Sequence, residues 1–381
     1  MTLDFFNIPG AENPADYHPG GLHPVHLGDI FNDRYKVTHK LGYGTTSTIW
    51  LVEDVKTRTL ASLKILSADR AATELIVMQH LEATYSAIEQ GSKHVVRMLD
   101  HFVHEGPNGV HQCIVGEVLG PSLSSPSLPA IFPCSILDHD MNHRICGQLA
   151  LAVAYLHKRG VAHGDLHPGN ILLTHPYPWT SFEEVYRDLG HPRKHVIHVG
   201  QFPDLTPAPP DPHRPEYLVC GLEYHGTLLR TCLRTANIKI GDFGGSYIPS
   251  MPVPPQLCSA AIFRPPEAVR GLTLHPTTEL DIWALAVLFH LFFTSQALIA
   301  ADSLDEADDA GSARVCWGML LGGSMPEGGR ERSSFEKLLR RTVRLKPEDR
   351  ISARGVVKSS WFVCYCRPDM REGAKYDVPD F

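Results

Sequence analysis

Polar and apolar positions alternate from Tyr35 to Leu66, with breaks at Gly42–Gly44 and Glu53–Arg58. A period of two marks strands with one buried face, so the stretch predicts three strands joined by two hairpins. From Ala68 to Leu81 the period lengthens, and Leu75, Met78 and Leu81 fall on one side of a helix. Val95–Phe102 and Gln112–Val118 read as two more strands, joined by a turn at GPNG, residues 106–109. Together these predict a small antiparallel sheet carrying one helix.

The pattern then changes. Residues 120–133 are rich in Pro and Ser and read as a crossing segment. Met141–Lys158 is a strong helix, with Ile145, Leu149, Val153 and Leu156 at helical spacing. A short apolar run, Val161–Leu173, encloses a polar loop. Thr174–Thr235 has no clear period, and the six prolines between Pro203 and Pro215 exclude regular helix or central strand there. Asn237–Gly241 reads as a strand, and helical patterns dominate from Glu267 to about Phe362. The apolar run Leu280–Phe293 is too short to span a bilayer and contains Asp281 and His290, so it predicts a buried helix. Residues 1–34 read as an arm lying on the domain with a frayed start, and Arg367–Phe381 as a loose polar tail. No internal repeat is present. The expected class is α+β: a sheet-rich part over 35–118, then a mainly helical part over 119–366 that includes an irregular insert at 174–236.

Composition narrows the partners. The chain has 381 residues, 43% hydrophobic and 20% charged, as expected of a globular protein large enough for one big domain or two ordinary ones. A net charge of −7 disfavours non-specific nucleic-acid binding and favours basic partners. The 22 histidines make the charge unusually sensitive to pH near neutrality. Nine scattered cysteines without repeated CxxC spacing read as reduced thiols in the cytoplasm or nucleus. MTLDFFNIPG lacks the basic start and apolar core of a signal peptide. Neither direct nucleic-acid nor membrane binding is expected.

Candidate chemistry centres on VAHGDLHPGNILL, Val161–Leu173. Asp165 and Asn170 stand five apart in a loop: either turn residues capping their own backbone, or the carboxylate and amide of a phosphoryl-transfer loop. In LGYGTTSTIW, Gly42 and Gly44 either serve an ordinary hairpin or let phosphates approach the backbone, with Ser47 where a third glycine is common. Lys64 is a solvated strand lysine or a phosphate ligand held by Glu74 on the next helix. Asp242 in IKIGDFG is a turn aspartate or a Mg²⁺ ligand. Along the chain the glycine loop, strand lysine, helix glutamate, Asp–x₄–Asn and DFG each appear once, in that sequence, and the order favours the chemical readings. Downstream, Glu267 of PPE and Arg350 of KPEDRIS have the chemistry of a buried bracing pair. His191, His195 and His198 have ligand-like spacing, but no fourth ligand accompanies them, and no zinc site is expected.

These residues resemble a eukaryotic protein kinase, and more closely the SR-protein kinase (SRPK) family, especially its short fungal members. The resemblance covers about residues 15–365 and rests on DYHPGGLHPVHLGDIFNDRYKVTHKLGYGTTSTIWL, GEVLGPSL, HGDLHPGNILL, IKIGDFG, RPPEAVRG and LDIWALAVLF. It implies a bilobal kinase fold, ATP and Mg²⁺ as cofactors, serine/threonine phosphorylation of basic Arg/Ser-rich proteins, a link to mRNA splicing, and a monomer. Carried over, Leu41, Gly42, Gly44 and Ile49 enclose the nucleotide. Lys64 binds its α- and β-phosphates and pairs with Glu74, while Glu117 and Leu119 offer backbone hydrogen bonds to adenine. Asp165 is the base, Asn170 and Asp242 hold Mg²⁺, and Asp281 ties the catalytic loop.

Several positions depart from the family. His167 stands where a lysine usually touches the γ-phosphate, and neutral imidazole stabilises developing charge less than ammonium does. Gly164 replaces the arginine that reads a phosphorylated activation loop, an arginine that SRPKs also lack. Gly116 occupies the gatekeeper position, or is simply a close-packed strand glycine. The spacer before DFG is short and the region after the buried helix is trimmed. Asp302, Asp305, Glu306, Asp308 and Asp309 there either attract Arg-rich peptides or form a solvated loop. Two other functions stay open: a small-molecule kinase, since HGDLHPGN matches aminoglycoside and choline kinases, and a pseudokinase scaffold.

Overall fold

The computed structural model describes residues 5–125, 128, 137–200, 204–221, 226–251, 253–273, 275–296, 298, 325, 328–376 and 378; the acidic cluster at 302–309 lies outside them. The chain divides into two compact units. The first comprises Met1–Leu75, Arg97–Val118 and Tyr177–Leu228, and the second Ile76–Val96, Leu119–Pro176 and Leu229–Phe381. The described strands are β1 (Ile30–Phe31), β2 (Tyr35–Gly44), β3 (Ser47–Asp54), β4 (Thr59–Leu66), β5 (Met98–Gly106), β6 (Gly109–Gly116), β7 (Ile171–Leu173), β8 (Lys194–Val196), β9 (His198–Val199), β10 (Thr206–Pro207), β11 (Tyr217–Val219) and β12 (Ile238–Ile240). The described helices are α1 (Thr73–Ala83), α2 (His139–Lys158), α3 (Phe182–Leu189), α4 (Gly226–Leu233), α5 (Pro266–Val269), α6 (Thr278–Thr294), α7 (Arg330–Thr342), α8 (Ala353–Val356) and α9 (Arg367–Asp369).

The first unit is built on an antiparallel sheet of order β1-β2-β3-β4-β6-β5. Cross-strand register divides its residues between two faces. Val37, Val52 and Ala61 pair across one row, and Trp50, Leu63 and Val115 across another. These belong to one buried core. The alternate row runs Gly42, Ile49, Lys64 and Ile114. Side chains alternate faces along a strand, so Lys64 stands on the face opposite that core.

What covers the core is the chief correction to the sequence reading. The insert was expected among the helical residues, yet Tyr177–Leu228 belong to the first unit. Val25 of the arm and Val219 of β11 complete the sheet core, with Leu27 and Tyr217 against it. A satellite core joins Ile8, Tyr17 and Leu22 of the arm to Ile197, Leu218 and Cys220 of the insert. Backbone bonds bind the two segments directly: Phe6 N donates to His198 O (2.9 Å) and Gly221 N to Gly10 O (2.7 Å). The insert is not wholly irregular either. Ser181 caps α3, its hydroxyl accepting from Glu184 N, and β8 pairs with β11. The prolines leave too few donors for a larger sheet. Lys40, fully buried on β2, pairs with Glu12 of the arm, which also accepts from Tyr17 Oη. A buried ammonium persists only when so partnered.

In the second unit, α2 and α6 carry the core. Ile145, Leu149, Val153 and Leu156 are fully buried along α2. Helix α6 starts at Thr277, whose hydroxyl accepts from Leu280 N, and stops at Ser295, which has φ +58°. Phe289, Phe293, Phe335 and Trp361 pack ring against ring at 4.6–5.9 Å. The tail is not loose up to Tyr376. Arg144 donates to the carbonyls of Asp369 and Arg371, and Tyr376 N to Arg234 O. A buried guanidinium supplies acceptor-seeking donors that polar residues alone did not advertise. No helix among the described residues is long and apolar enough to cross a membrane.

Candidate active site

In the first unit, the Gly42 row organises the candidate residues. The register shifts between Lys40 and Gly42, leaving Leu41 as the bulge residue before the turn. Gly42 and Gly44 have no positive φ, and a Cβ at Gly42 would meet nothing within 4 Å. The fold itself therefore sets no steric demand for Gly42, whereas a ligand approaching the backbone would. On the same row, Lys64 Nζ bonds both carboxylate oxygens of Glu74 at 2.8 and 2.7 Å. Glu74 lies in the first turn of α1, where a carboxylate is favoured by the helix dipole. The lysine is thus a held charge and not a solvated one.

Glu117 is anchored twice. Its carboxylate accepts from Arg97 N (2.9 Å) and its carbonyl from Ser62 Oγ (3.1 Å). Beside it, a Cβ on Gly116 would sit 3.2 Å from Ser62 Oγ and 3.4 Å from Arg97 O. Close packing of the strand accordingly gives Gly116 a reason of its own. Leu119 falls in the second unit, just before Gly120, whose N–H bonds Leu173 O.

The second unit assembles the loop residues through the β7–β12 ribbon. Ile171 pairs with Ile240. Asn170 immediately precedes one strand and Asp242 follows the other by two residues, so antiparallel pairing brings both to the same end. Gly241 N donates to Asn170 O (3.0 Å). Asn170 Nδ2 donates to Asp165 O (2.9 Å), which leaves Oδ1 as the amide atom able to ligate a cation. Asp242 is exposed and left-handed, with φ 61° and ψ 80°. Such a backbone costs a non-glycine residue roughly 1–2 kcal/mol and gathers at functional sites. Phe243, fully buried, packs on His163 with centroids 5.2 Å apart.

A single carboxylate fixes the backbone ahead of Asp165. Asp281 on α6 is 1% exposed and accepts from His163 N (2.8 Å), Gly164 N (2.8 Å) and His157 Nε2 (2.9 Å). Gly164 has φ +78°, and a Cβ there would lie 2.5 Å from Gly245 O and 2.7 Å from Pro276 Cβ. Glycine is obligatory at this position. His167 Nδ1 accepts from Gly169 N (3.1 Å), so the neutral ring carries its proton on Nε2, 3.6 Å from Asp165 Oδ2. Glu267 at the start of α5 meets Arg350 in a buried two-pronged pair, both contacts at 2.6 Å, with the guanidinium 5.0 Å above Trp283.

The arrangement offers a carboxylate, Asp165, beside an amide and a second carboxylate suited to a hard cation, and separately a held lysine under a glycine turn. His191, His195 and His198 form no ligand cluster among the described residues. Two groups that sequence reading passed over do cluster: His139, His143 and Glu331, and Asp140, His143 and Asp369. The signal was the HDMNH spacing at the head of α2, hidden within a helix read only for its apolar positions.

The protein kinase domain family matches residues 35–178 and 228–362. The break coincides with the insert that folds onto the sheet. The chain is 38% identical over 169 residues to protein kinase dsk1 of Schizosaccharomyces pombe, covering 42% of this chain and 30% of that one. It is 35% identical over 178 residues to serine/threonine-protein kinase SKY1 of Saccharomyces cerevisiae, covering 42% and 23%. Over a longer span, 309 residues, it is 28% identical to serine/threonine-protein kinase SRPK of Physarum polycephalum, covering 78% and 70%. The matched stretch spans less than a third of dsk1 and of SKY1.

Proposed function

Since the chain belongs to the protein kinase domain family, we propose that it is an ATP-dependent serine/threonine kinase of SRPK type, moving the γ-phosphoryl group to serines of basic, Arg/Ser-rich proteins. The observation that carries this reading is the ribbon end, where Asp165, Asn170 and Asp242 are drawn together by Asn170 Nδ2–Asp165 O and Gly241 N–Asn170 O. Similarity to the serine/threonine-protein kinases SKY1 and SRPK supports transfer to serine or threonine, and the net charge of −7 suits a basic substrate.

The residues present fit the expected cofactors. Asn170 Oδ1 and the Asp242 carboxylate would hold Mg²⁺, a hard cation that prefers oxygen. Bound there, the ion would neutralise phosphate charge. Lys64, oriented by Glu74, would hold the α- and β-phosphates, with Leu41, Gly42, Gly44 and Ile49 around the nucleotide and Glu117 and Leu119 at adenine. Asp165 orients the attacking serine hydroxyl and accepts its proton. His167 contributes an Nε2–H donor in place of a fixed ammonium, so most of the rate comes from positioning. The framework around Asp281, Glu267 and Arg350 supports a protein kinase over a small-molecule kinase, and the intact Lys64, Glu74, Asp165, Asn170 and Asp242 oppose a pseudokinase.

The test is a peptide-array phosphorylation assay with wild type and Asp165→Asn. Arg/Ser-rich peptides should be phosphorylated by wild type, with Asp165→Asn at background. Turnover of small alcohols in preference to peptides, or nucleotide binding without turnover on any peptide, would overturn the proposal.

A further inference from the structure

Away from the residues assigned above, three helices of the second unit bring together a different donor set. His139 and His143 are four apart at the start of α2, so their rings project from one face. Glu331 stands in the first turn of α7. Its Oε1 lies 3.0 Å from His139 Nε2 and 2.8 Å from His143 Nε2. From α9, Asp369 Oδ2 reaches His143 Nδ1 at 3.2 Å. Sequence separations between partners run from 188 to 226 residues, so the grouping is a product of folding and not of a local turn.

Hydrogen-bond accounting at His143 is the decisive observation. Its side chain is 4% exposed, and both ring nitrogens face carboxylate oxygens. A neutral imidazole has a single N–H, and an ionised carboxylate has none. With a neutral ring, one of the two contacts opposes a lone pair to an oxygen anion, and either an added proton or a metal cation between them relieves it. Asp369 is placed to take the N–H of Nδ1, which turns the Nε2 lone pair toward His139 and Glu331. A carboxylate bound to the far nitrogen of a ligating histidine is the usual outer partner of a metal site.

We propose that His139, His143 and Glu331 form a zinc-binding site, with Asp369 as the residue that orients His143. Two imidazole nitrogens and one carboxylate suit Zn²⁺ and leave the fourth position to solvent. Hard cations are disfavoured, since Mg²⁺ and Ca²⁺ select oxygen ligands. With metal–ligand bonds near 2.0–2.1 Å, a tetrahedral ion separates its ligand atoms by roughly 3.3 Å. Contacts of 2.8 and 3.0 Å need open by only a few tenths of an ångström. The site is walled by Phe293, 5.3 Å from both rings, and by Trp361 and Tyr365 at 5.8 and 5.9 Å from His143. Metal there would pin α2, α7 and α9 to one another.

The experiment is zinc titration of the chelator-treated full chain with ZnCl₂, by competition with a chromogenic chelator and by thermal shift. Wild type should take up one equivalent and unfold at a higher temperature with zinc than without. His139→Gln removes a third-exposed ligand with little risk to folding, and should abolish the thermal shift and weaken binding at least about tenfold. Asp369→Asn should weaken it by about 10–100-fold. Serine-peptide phosphorylation serves as the fold control for each variant. Absence of uptake by wild type overturns the proposal and leaves His143 a proton-bridged histidine. Uptake that His139→Gln and Asp369→Asn both leave unchanged overturns it equally, placing the zinc elsewhere.

Discussion

Asp281 provides the sharpest test of how the second unit supports catalysis. Asn is its isostere, and Asp281→Asn removes only charge and one acceptor. The carboxylate takes Gly164 N on Oδ1 and both His163 N and His157 Nε2 on Oδ2. Whichever way the amide is turned, its NH₂ faces a backbone N–H. The better orientation turns NH₂ to Gly164 N and leaves that one buried donor without an acceptor, at a cost of about 1–3 kcal/mol. The surviving bonds lose charge assistance, worth about 1 kcal/mol each. The sum, about 3–5 kcal/mol, is a large share of a domain's stability of about 5–15 kcal/mol, yet leaves a folded protein. Because Gly164 directly precedes Asp165, a shift of the loop moves the carboxylate that must meet the substrate hydroxyl. We expect kcat to fall by about 10²-fold with the KM for ATP nearly unchanged. Urea unfolding measures the first quantity and steady-state phosphorylation of an Arg/Ser-rich peptide the second. A stability change below about 1 kcal/mol would refute the accounting. A destabilised variant with wild-type kcat would refute the link between Asp281 and the loop.

Further expectations concern other residues. His167→Lys supplies a fixed cation where the ring offers only an N–H donor and should raise kcat at pH 7.5; an equal or lower rate with nucleotide binding intact would exclude a role for charge at this position. Glu267→Gln leaves Arg350 buried beside Trp283 without its counter-ion, and a loss of about 3–5 kcal/mol in unfolding free energy is expected, against under 1 kcal/mol if the pair is dispensable. Acid should destabilise the chain before its carboxylates titrate. Burial pushes His23 down to about 3 and His94 down to about 4, from 6.5. The unfolded chain then takes up protons that the folded chain refuses, so this stability is complete above pH 6.5 and declines as pH falls toward those values. The slope is about 1.4 kcal/mol per pH unit for each histidine. Urea midpoints measured from pH 7.5 to 4.5 should show it, and His23→Phe, packed near Phe31 and His104, should flatten it; a flat wild-type profile would count against both histidines.

The site motifs were readable in sequence because each is short and sits on an element with a strong period. The alternation from Tyr35 to Leu66 implied the strands that carry Gly42, Ile49 and Lys64, and the apolar run before DFG implied a strand ahead of Asp242, while the register that aligns them appears only in the fold. What escaped were relations between distant segments. Nothing within a window around Tyr217 or Val219 reveals that Val25 and Trp50 are their neighbours. Prolines mask the insert's pairing, since they delete the donors that periodicity arguments assume. Gly164 looked like a lost arginine, but its need for glycine arises from Pro276, more than a hundred residues downstream. Arg144 reads as a polar break in an apolar helix until the carbonyls of the tail are seen around it.

The three-part make-up of the sheet unit bears on how the polypeptide is made. Domains commonly fold from the amino terminus as they leave the ribosome. Here the sheet's covering face is finished only when Tyr217–Val219 emerge, after Asn170 and the strand that follows it have already been translated. Until then Val37, Trp50 and Leu63 lack part of their cover, and nascent chains halted shortly before residue 217 should be the ones that chaperones hold and proteases clip.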